Sequence, residues 1–337
     1  MKGQGLKGMG LAALLVAAVV ILSLCLGKFA VAPADVWRVI SQHLFGNPAD
    51  IDRSIDTVIW QVRVPRVLAG LLVGAALAAA GSTYQGMFRN PLVSPDILGV
   101  SAGAGLGAIA GIFFSQSVLV IEVLAFAGGL AAVGLVYGIG AAVRRHDPVL
   151  VLVLAGIAVG TLLGAVMSLL KILADPYNQL PTITYWLLGS LTSVSRTDLA
   201  IVVPLIVIGL APLFLLRWRL NLLTLSEDEA RALGVDTRKL RMVFIVGATL
   251  VTSAAVSITG IVGWIGLLIP HIARILVGPN FARLLPASLL LGGGYLVLVD
   301  LLARSVANIE VPLGILTAVL GAPFFLWLLA SRERGWQ

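Results

Sequence analysis

Chemistry needs reactive side chains held close together, and this chain offers few. Its single cysteine, Cys25, excludes an internal disulfide and any cysteine-built zinc site. The three histidines, His43, His146 and His271, are far apart in sequence and in expected depth, so no metal centre is expected. No G-x-x-x-x-G-K-[S/T] run occurs, which excludes nucleotide binding by a P-loop. The ionisable residues inside or beside apolar runs are Glu122, Lys171, His271, Arg274, Asp300 and Arg304. Such groups mark proton or ion routes when they stand alone at mid-span. Asp300 and Arg304, however, are four residues apart and can pair on one helix face. Glu122 and Lys171 lie near segment ends, within reach of interfacial water. With no isolated mid-span carboxylate, the pattern disfavours a proton-coupled secondary carrier. No covalent chemistry and no cofactor are expected of this chain.

These residues are carried by an unusually apolar polypeptide. Of 337 residues, 59% are hydrophobic and 12% charged, with a mean hydropathy of +1.04. A soluble domain needs roughly twice that charge to clothe its surface, so a soluble enzyme is excluded. The net charge of +7 fits basic loops beside anionic lipid rather than nucleic acid. A helix crosses the hydrocarbon core with about 20 residues. Such runs occur at 9–27, 64–88, 96–114, 117–142, 149–173, 198–216, 241–259, 262–277, 284–303 and 312–330.

The expected fold is therefore all-α, a single transmembrane domain over 1–337 with about ten transmembrane helices. The runs at 96–114 and 262–277, short and rich in Gly or Pro, are expected to be broken or re-entrant. The first run has a rival reading as a signal peptide, but it is long and lacks a small-x-small cleavage site. With the N-terminus inside, 14 of the 23 Lys and Arg fall in inner loops, which predicts cytoplasmic N- and C-termini. Residues 29–63 then form an outer loop, and 217–240 the longest, most charged inner loop.

Glycines recur every fourth residue at Gly99, Gly103, Gly107 and Gly111, at Gly134 and Gly138, and at Gly156, Gly160 and Gly164. That spacing lets two backbones approach closely, or leaves a smooth wall along a passage; for 156–168 the second reading includes Thr161 and Ser168. In the inner loop, Ser226 is a good N-cap, Glu227, Asp228 and Glu229 suit a helix start, and Gly234 suits its end. This short helix, with Leu225, Ala230 and Leu233 on one side, reads as a solvated connector or as a docking element for a cytoplasmic partner.

Several motifs, in order over about 60–330, give the chain a resemblance. They are Arg63-Val64-Pro65-Arg66 with Leu71–Leu77, Phe88-Arg89-Asn90-Pro91-Leu92 with Pro95 and Leu98-Gly99-Val100, Gly266–His271, Pro312-Leu313-Gly314 and Leu320–Pro323. The chain resembles the permeases of binding-protein-dependent ABC importers for iron-siderophores, haem and cobalamin, the FecCD type. The resemblance implies a ten-span homodimer in the cytoplasmic (inner) membrane of a prokaryote. It also implies two ATP-binding subunits carrying ATP and Mg, and an extracytoplasmic substrate-binding protein. It assigns Leu225, Ser226, Glu227, Asp228, Glu229, Ala230, Arg231, Leu233 and Gly234 to coupling with the ATPase, and Arg63, Arg66 and Arg304 to an outer rim that grips the binding protein. Asn90, Pro91, Leu92, Val149 and Leu150 would form the cytoplasmic gate, with Gly156, Gly160, Gly164 and Ser168 along the path. Asp147-Pro148 departs from the Ser/Thr-rich gate loop of the cobalamin branch, and Asp175–Pro181 with Tyr185–Leu191 resembles the siderophore branch. An iron-siderophore is the expected cargo, with haem, cobalamin and molybdate as alternatives.

Overall fold

The structure, a computed structural model, describes residues 2–46, 51–143, 148–225 and 227–330. Among the described residues every regular element is a helix. In order these are α1 (Lys2–Cys25), α2 (Pro33–Phe45), α3 (Arg53–Asp56), α4 (Val64–Met87), α5 (Val100–Phe113), α6 (Val118–Ala142), α7 (Pro148–Leu173) and α8 (Gln179–Leu188). They continue as α9 (Arg196–Leu215), α10 (Arg217–Leu220), α11 (Glu227–Ala232), α12 (Thr237–Thr259), α13 (Ile265–Val277), α14 (Phe281–Ala303) and α15 (Leu313–Ala330).

Among the described residues, seven stretches are long and apolar enough to cross a membrane: Gly8–Cys25, Arg53–Met87, Val118–Ala142, Val149–Leu173, Arg196–Leu215, Thr237–Thr259 and Phe281–Ala303. Three shorter apolar helices, Val100–Phe113, Ile265–Val277 and Leu313–Leu328, occupy the remaining expected segments. The centre of the bundle is built from α4, α12 and α14, whose apolar windows are about two-thirds to three-quarters buried, while α1, α6, α7 and α9 turn leucines and isoleucines outward. Helices apolar all round, with their outer faces uncovered, belong in lipid.

Where helices cross, glycine sets the distance. A Cβ on Gly74 would lie 2.1 Å from the Gly292 carbonyl oxygen, and one on Gly81 1.9 Å from that of Gly266. No side chain fits there, so α4 meets α14 and α13 backbone to backbone. Gly103 and Gly107 serve the same purpose between α5 and α6.

Two expectations are revised. The outer stretch 29–63 is largely helical: α2 is followed by α3, which runs through a π-helical segment, Thr57–Arg63, directly into α4. The long helix therefore starts at Arg53, capped by Asp52, whose carboxylate accepts from Ser54 N–H at 2.7 Å. The stretch between the fifth and sixth expected spans, read as an outer connection, contains the apolar α8 with Ile183 fully buried.

The short helices end in backbone that pairs with other backbone. Ser190 N–H donates to Thr259 O at 2.8 Å and Leu313 N–H to Gly189 O at 2.9 Å. Irregular chain at membrane depth is tolerated when it is satisfied inside protein in this way.

Candidate functional site

At the α11 end of the bundle, the 217–240 loop is folded tightly. A 3₁₀ turn, Asn221–Thr224, buries Leu223, and α11 spans six residues. Gly234, at φ +75°, ends it: Val235 N–H donates to Ala230 O at 3.1 Å and Leu233 N–H to Glu229 O at 3.2 Å. The proposed N-cap Ser226 lies outside the described residues. The expectation that Leu225, Ala230 and Leu233 share one exposed side is corrected. Ala230 is fully buried against the chain itself and Leu225 is half-buried, leaving only Leu233 exposed. The helix is too short to present a stripe of its own. Beside it, a cleft of about 490 Å³ is lined by Trp218, Arg219, Leu222, Leu233 and Lys239 among others.

The gate candidates fall on two segments. Asn90, Pro91 and Leu92 follow α4 directly; Asn90 Oδ1 accepts from Leu92 N–H at 2.9 Å, and Leu92 is exposed. Val149 and Leu150 open α7, the first half-buried and the second exposed; Asp147 before them lies outside the described residues. The loop beyond Leu92 does reach α7, because a Cβ on Gly156 would lie 2.0 Å from the Ile97 carbonyl oxygen. Gly156 is thus a packing glycine. Gly160 and Gly164 have open space around their Cβ positions, and Ser168 is exposed with its hydroxyl donating to Gly164 O at 2.9 Å.

At the other end lies a charged cluster. Arg66 Nε donates to both carboxylate oxygens of Asp300, at 2.8 and 3.0 Å. Its terminal nitrogens donate to Glu310 at 3.1 and 2.8 Å. Arg304 Nε stands 3.6 Å from Asp300, so the i,i+4 pair exists but Arg66 holds the closer place. Arg304 also donates to Ser23 Oγ at 2.6 Å and Leu26 O at 3.1 Å. Arg63 donates to the carbonyls of Leu24, at 2.6 Å, Cys25 and Phe29.

The three arginines are 5, 7 and 8% exposed, at Arg63, Arg66 and Arg304 respectively. They do not stand free on a rim: their donors go to the chain's own carboxylates and carbonyls, locking α1, α4, α14 and the 304–312 loop together. Burying these charges costs too much unless they are paired in this way. Burial alone would raise the Glu310 pKa, but hydrogen bonds from Arg66 and Thr192 and the charges of Arg66 and Lys28 hold it below the ordinary value.

Glu310 and Gln85 were not singled out by sequence, and Arg89 entered only as a member of the Phe88–Leu92 motif, with no role given to it. Glu310 is the acid in a short loop just before the Pro312-Leu313-Gly314 motif, and no part of that motif. Arg89 reaches back to Leu223 O at 3.0 Å and to Leu225 O. Gln85 donates to the carbonyls of Gly266 and Leu267, and accepts from Arg274 at 3.1 Å. Among the described residues no group of His, Cys, Asp and Glu could hold a metal ion.

The FecCD transport family model matches residues 14–331. The chain is 42% identical over 290 residues to a cobalamin import system permease of Halobacterium salinarum, covering 86% of this chain and 76% of that protein. It is 39% identical over 327 residues to a molybdate import system permease of Haemophilus influenzae, with 97% and 96% covered. A probable iron chelatin transport system permease of Helicobacter pylori is 43% identical over 282 residues, with 84% and 85% covered. A solved structure described as an inward-facing conformation of a metal-chelate type ABC transporter superposes with a TM-score of 0.86 at 37% identity, over 96% of this chain and 99% of that one.

Proposed function

This chain belongs to the FecCD transport family and is a multi-pass ABC importer permease, and from that premise we propose that it carries an iron complex, a ferric siderophore first, across the cytoplasmic membrane. As a transport component it moves its cargo without covalent chemistry. In this reading two copies form a homodimer with the path between them, and a substrate-binding protein delivers cargo from outside. Two partner subunits bind and hydrolyse ATP with Mg. Each chain crosses ten times with both termini inside.

The observation that carries the importer reading is the family match over residues 14–331, nearly the whole length. Two features of the structure support it. The α11 loop sits beside the start of the gate segment, where a push from a partner could be felt. The α7 face around Gly160 and Gly164 is smooth and open. ATP can drive such a device only by binding differently to its two conformations.

The cargo assignment rests on the siderophore-like stretch 175–191. The relatives named for cobalamin, molybdate and iron chelatin are nearly equal in identity, at 42, 39 and 43%. Haem, cobalamin and molybdate are the alternative cargoes. The test is reconstitution in liposomes with and without the co-purified ATPase, using the binding protein loaded in turn with a ferric siderophore, haem, a corrinoid and molybdate. ATP-dependent uptake of the siderophore is expected. Accumulation under an ion gradient without the ATPase would mean a secondary carrier and would end this reading.

A further inference from the structure

Arg89 is one of three non-glycine residues with positive φ among the described residues, at 50°. It sits just past α4, where Phe88 N–H donates to Tyr84 O at 2.8 Å and Asn90 N–H reaches back to Gln85 O at 3.1 Å. That is the position where helices ordinarily end in glycine. A side chain there is kept against the backbone's own preference, and strain that persists at such a place points to a task for the residue.

The side chain does not point idly into water. Its Nε donates to Leu223 O at 3.0 Å and a terminal nitrogen to Leu225 O. Leu223 is 1% exposed, so this grip holds a segment rooted in the core immediately before α11. On the other side of Arg89 the chain runs through Asn90, Pro91 and Leu92 to Ile97, whose carbonyl lies against Gly156 of α7. Behind it, Gln85 clasps Gly266 and Leu267 of α13. One side chain therefore joins the loop that carries α11 to the segments that carry Leu92, α7 and α13. Among the described residues, no other side-chain hydrogen bond spans from 221–225 to 88–92.

We infer that Arg89 is a positioning residue that transmits movement of the α11 loop to the gate. The inference rests on the importer reading, in which a partner ATPase moves that loop. A planar guanidinium suits the work, because its fixed fork holds two carbonyls in one geometry where an ammonium would hold one. Charge-assisted hydrogen bonds are also the stronger ones.

The experiment uses the whole complex with its ATPase and needs no knowledge of cargo. Cys25 is the single cysteine and is buried, so Leu92→Cys gives one exposed thiol at the gate. Its labelling rate with a fluorescent maleimide is measured with and without ATP. In the Arg89 background ATP is expected to change that rate. Arg89→Gly removes the side chain and relieves the backbone, so this variant is expected to fold at least as well and to keep the ATPase bound. Its ATP-dependent change in labelling is expected to fall at least about tenfold, equivalent to about 1.4 kcal/mol of lost coupling. Arg89→Lys is expected to recover part of the response. An Arg89→Gly complex with an undiminished response would overturn the inference. So would loss of the ATPase from that complex, which would make Arg89 part of the docking surface instead. Absence of any ATP response with Arg89 in place would overturn the importer and gate reading beneath it.

Discussion

The cluster of Arg66, Asp300 and Glu310 makes a prediction whose size can be worked out. Asp300 is 1% exposed, and Arg66 gives it two hydrogen bonds from one nitrogen. Arg66→Ala leaves a buried carboxylate facing only Arg304, 3.6 Å away. Breaking a buried pair by removing one partner costs about 3–5 kcal/mol. Asp300→Asn keeps the shape and one acceptor oxygen, so it is expected to cost about 1.5–3 kcal/mol, the worth of a hydrogen bond to a charged group. Glu310 has a side chain 34% exposed, where water screens and replaces the pair, and Glu310→Gln is expected to cost less than about 1 kcal/mol. The order is therefore Arg66→Ala, then Asp300→Asn, then Glu310→Gln. Thermal unfolding of the detergent-purified chain would measure each loss, and the Arg66→Ala, Asp300→Ala pair would complete a double-mutant cycle. A coupling above about 1 kcal/mol is expected. Additive losses, or a Glu310→Gln variant as unstable as Arg66→Ala, would refute the claim that these charges brace this end of the bundle rather than wait for a partner.

Three further predictions follow from other parts of the chain. Glu310 has its native pKa below the ordinary 4.5, so its contribution is full above that value and is lost as falling pH protonates it in the folded state; Glu310→Gln should remove this part of the acid sensitivity, which a melting series across that range would detect. Gly81→Ala forces a Cβ to within 1.9 Å of the Gly266 carbonyl oxygen and is expected to destabilise by at least about 1–3 kcal/mol, whereas Gly164→Ala meets nothing within 4 Å and should melt like the parent; equal melting of the two would contradict the packing account. Replacing Glu227, Asp228 and Glu229 together by alanine is expected to loosen ATPase assembly, read as a lower ratio of ATPase to permease on purification, and an unchanged ratio would remove α11 from the contact.

Much of the fold was legible because the membrane imposes simple rules. Long apolar runs must be helices, since no other open structure satisfies its backbone in lipid. The spacing of the glycines at 103 and 107 admitted either close packing or a smooth wall, and the structure shows close packing against α6. What sequence could not supply was pairing at a distance. Arg66 meets Asp300 across 234 positions and Glu310 across 244, and no local pattern announces either. The i,i+4 rule did find Arg304 beside Asp300 but ranked it above a partner it could not see. The helicity of 29–63 was missed for a related reason: its charges were weighed as loop polarity, although a helix at the membrane edge can carry them on one side.

Helix α7, the proposed path helix, shows where residue pattern and proposed function part company. Thr161 and Ser168 are exposed on α7, which in a passage would suggest hydrogen-bonding groups for a cargo. In the structure both hydroxyls are spent within the helix, on Ile157 O at 2.8 Å and Gly164 O at 2.9 Å. The surrounding surface is Leu154, Ile157, Leu162 and Leu169, all exposed. Such a wall offers a polar iron complex no strong foothold, and a conduit benefits from that, because whatever binds tightly along the way leaves slowly. On the proposed path, choice of cargo would be made before entry, by the protein proposed to deliver it. That arrangement would account for relatives of such similar sequence carrying names for cobalamin, molybdate and iron chelatin. Giving α7 a free carboxylate, as in Ser168→Asp, should slow transport of an anionic ferric siderophore without changing which cargo the assembled importer accepts. A change of preference among cargoes would mean that the wall itself selects.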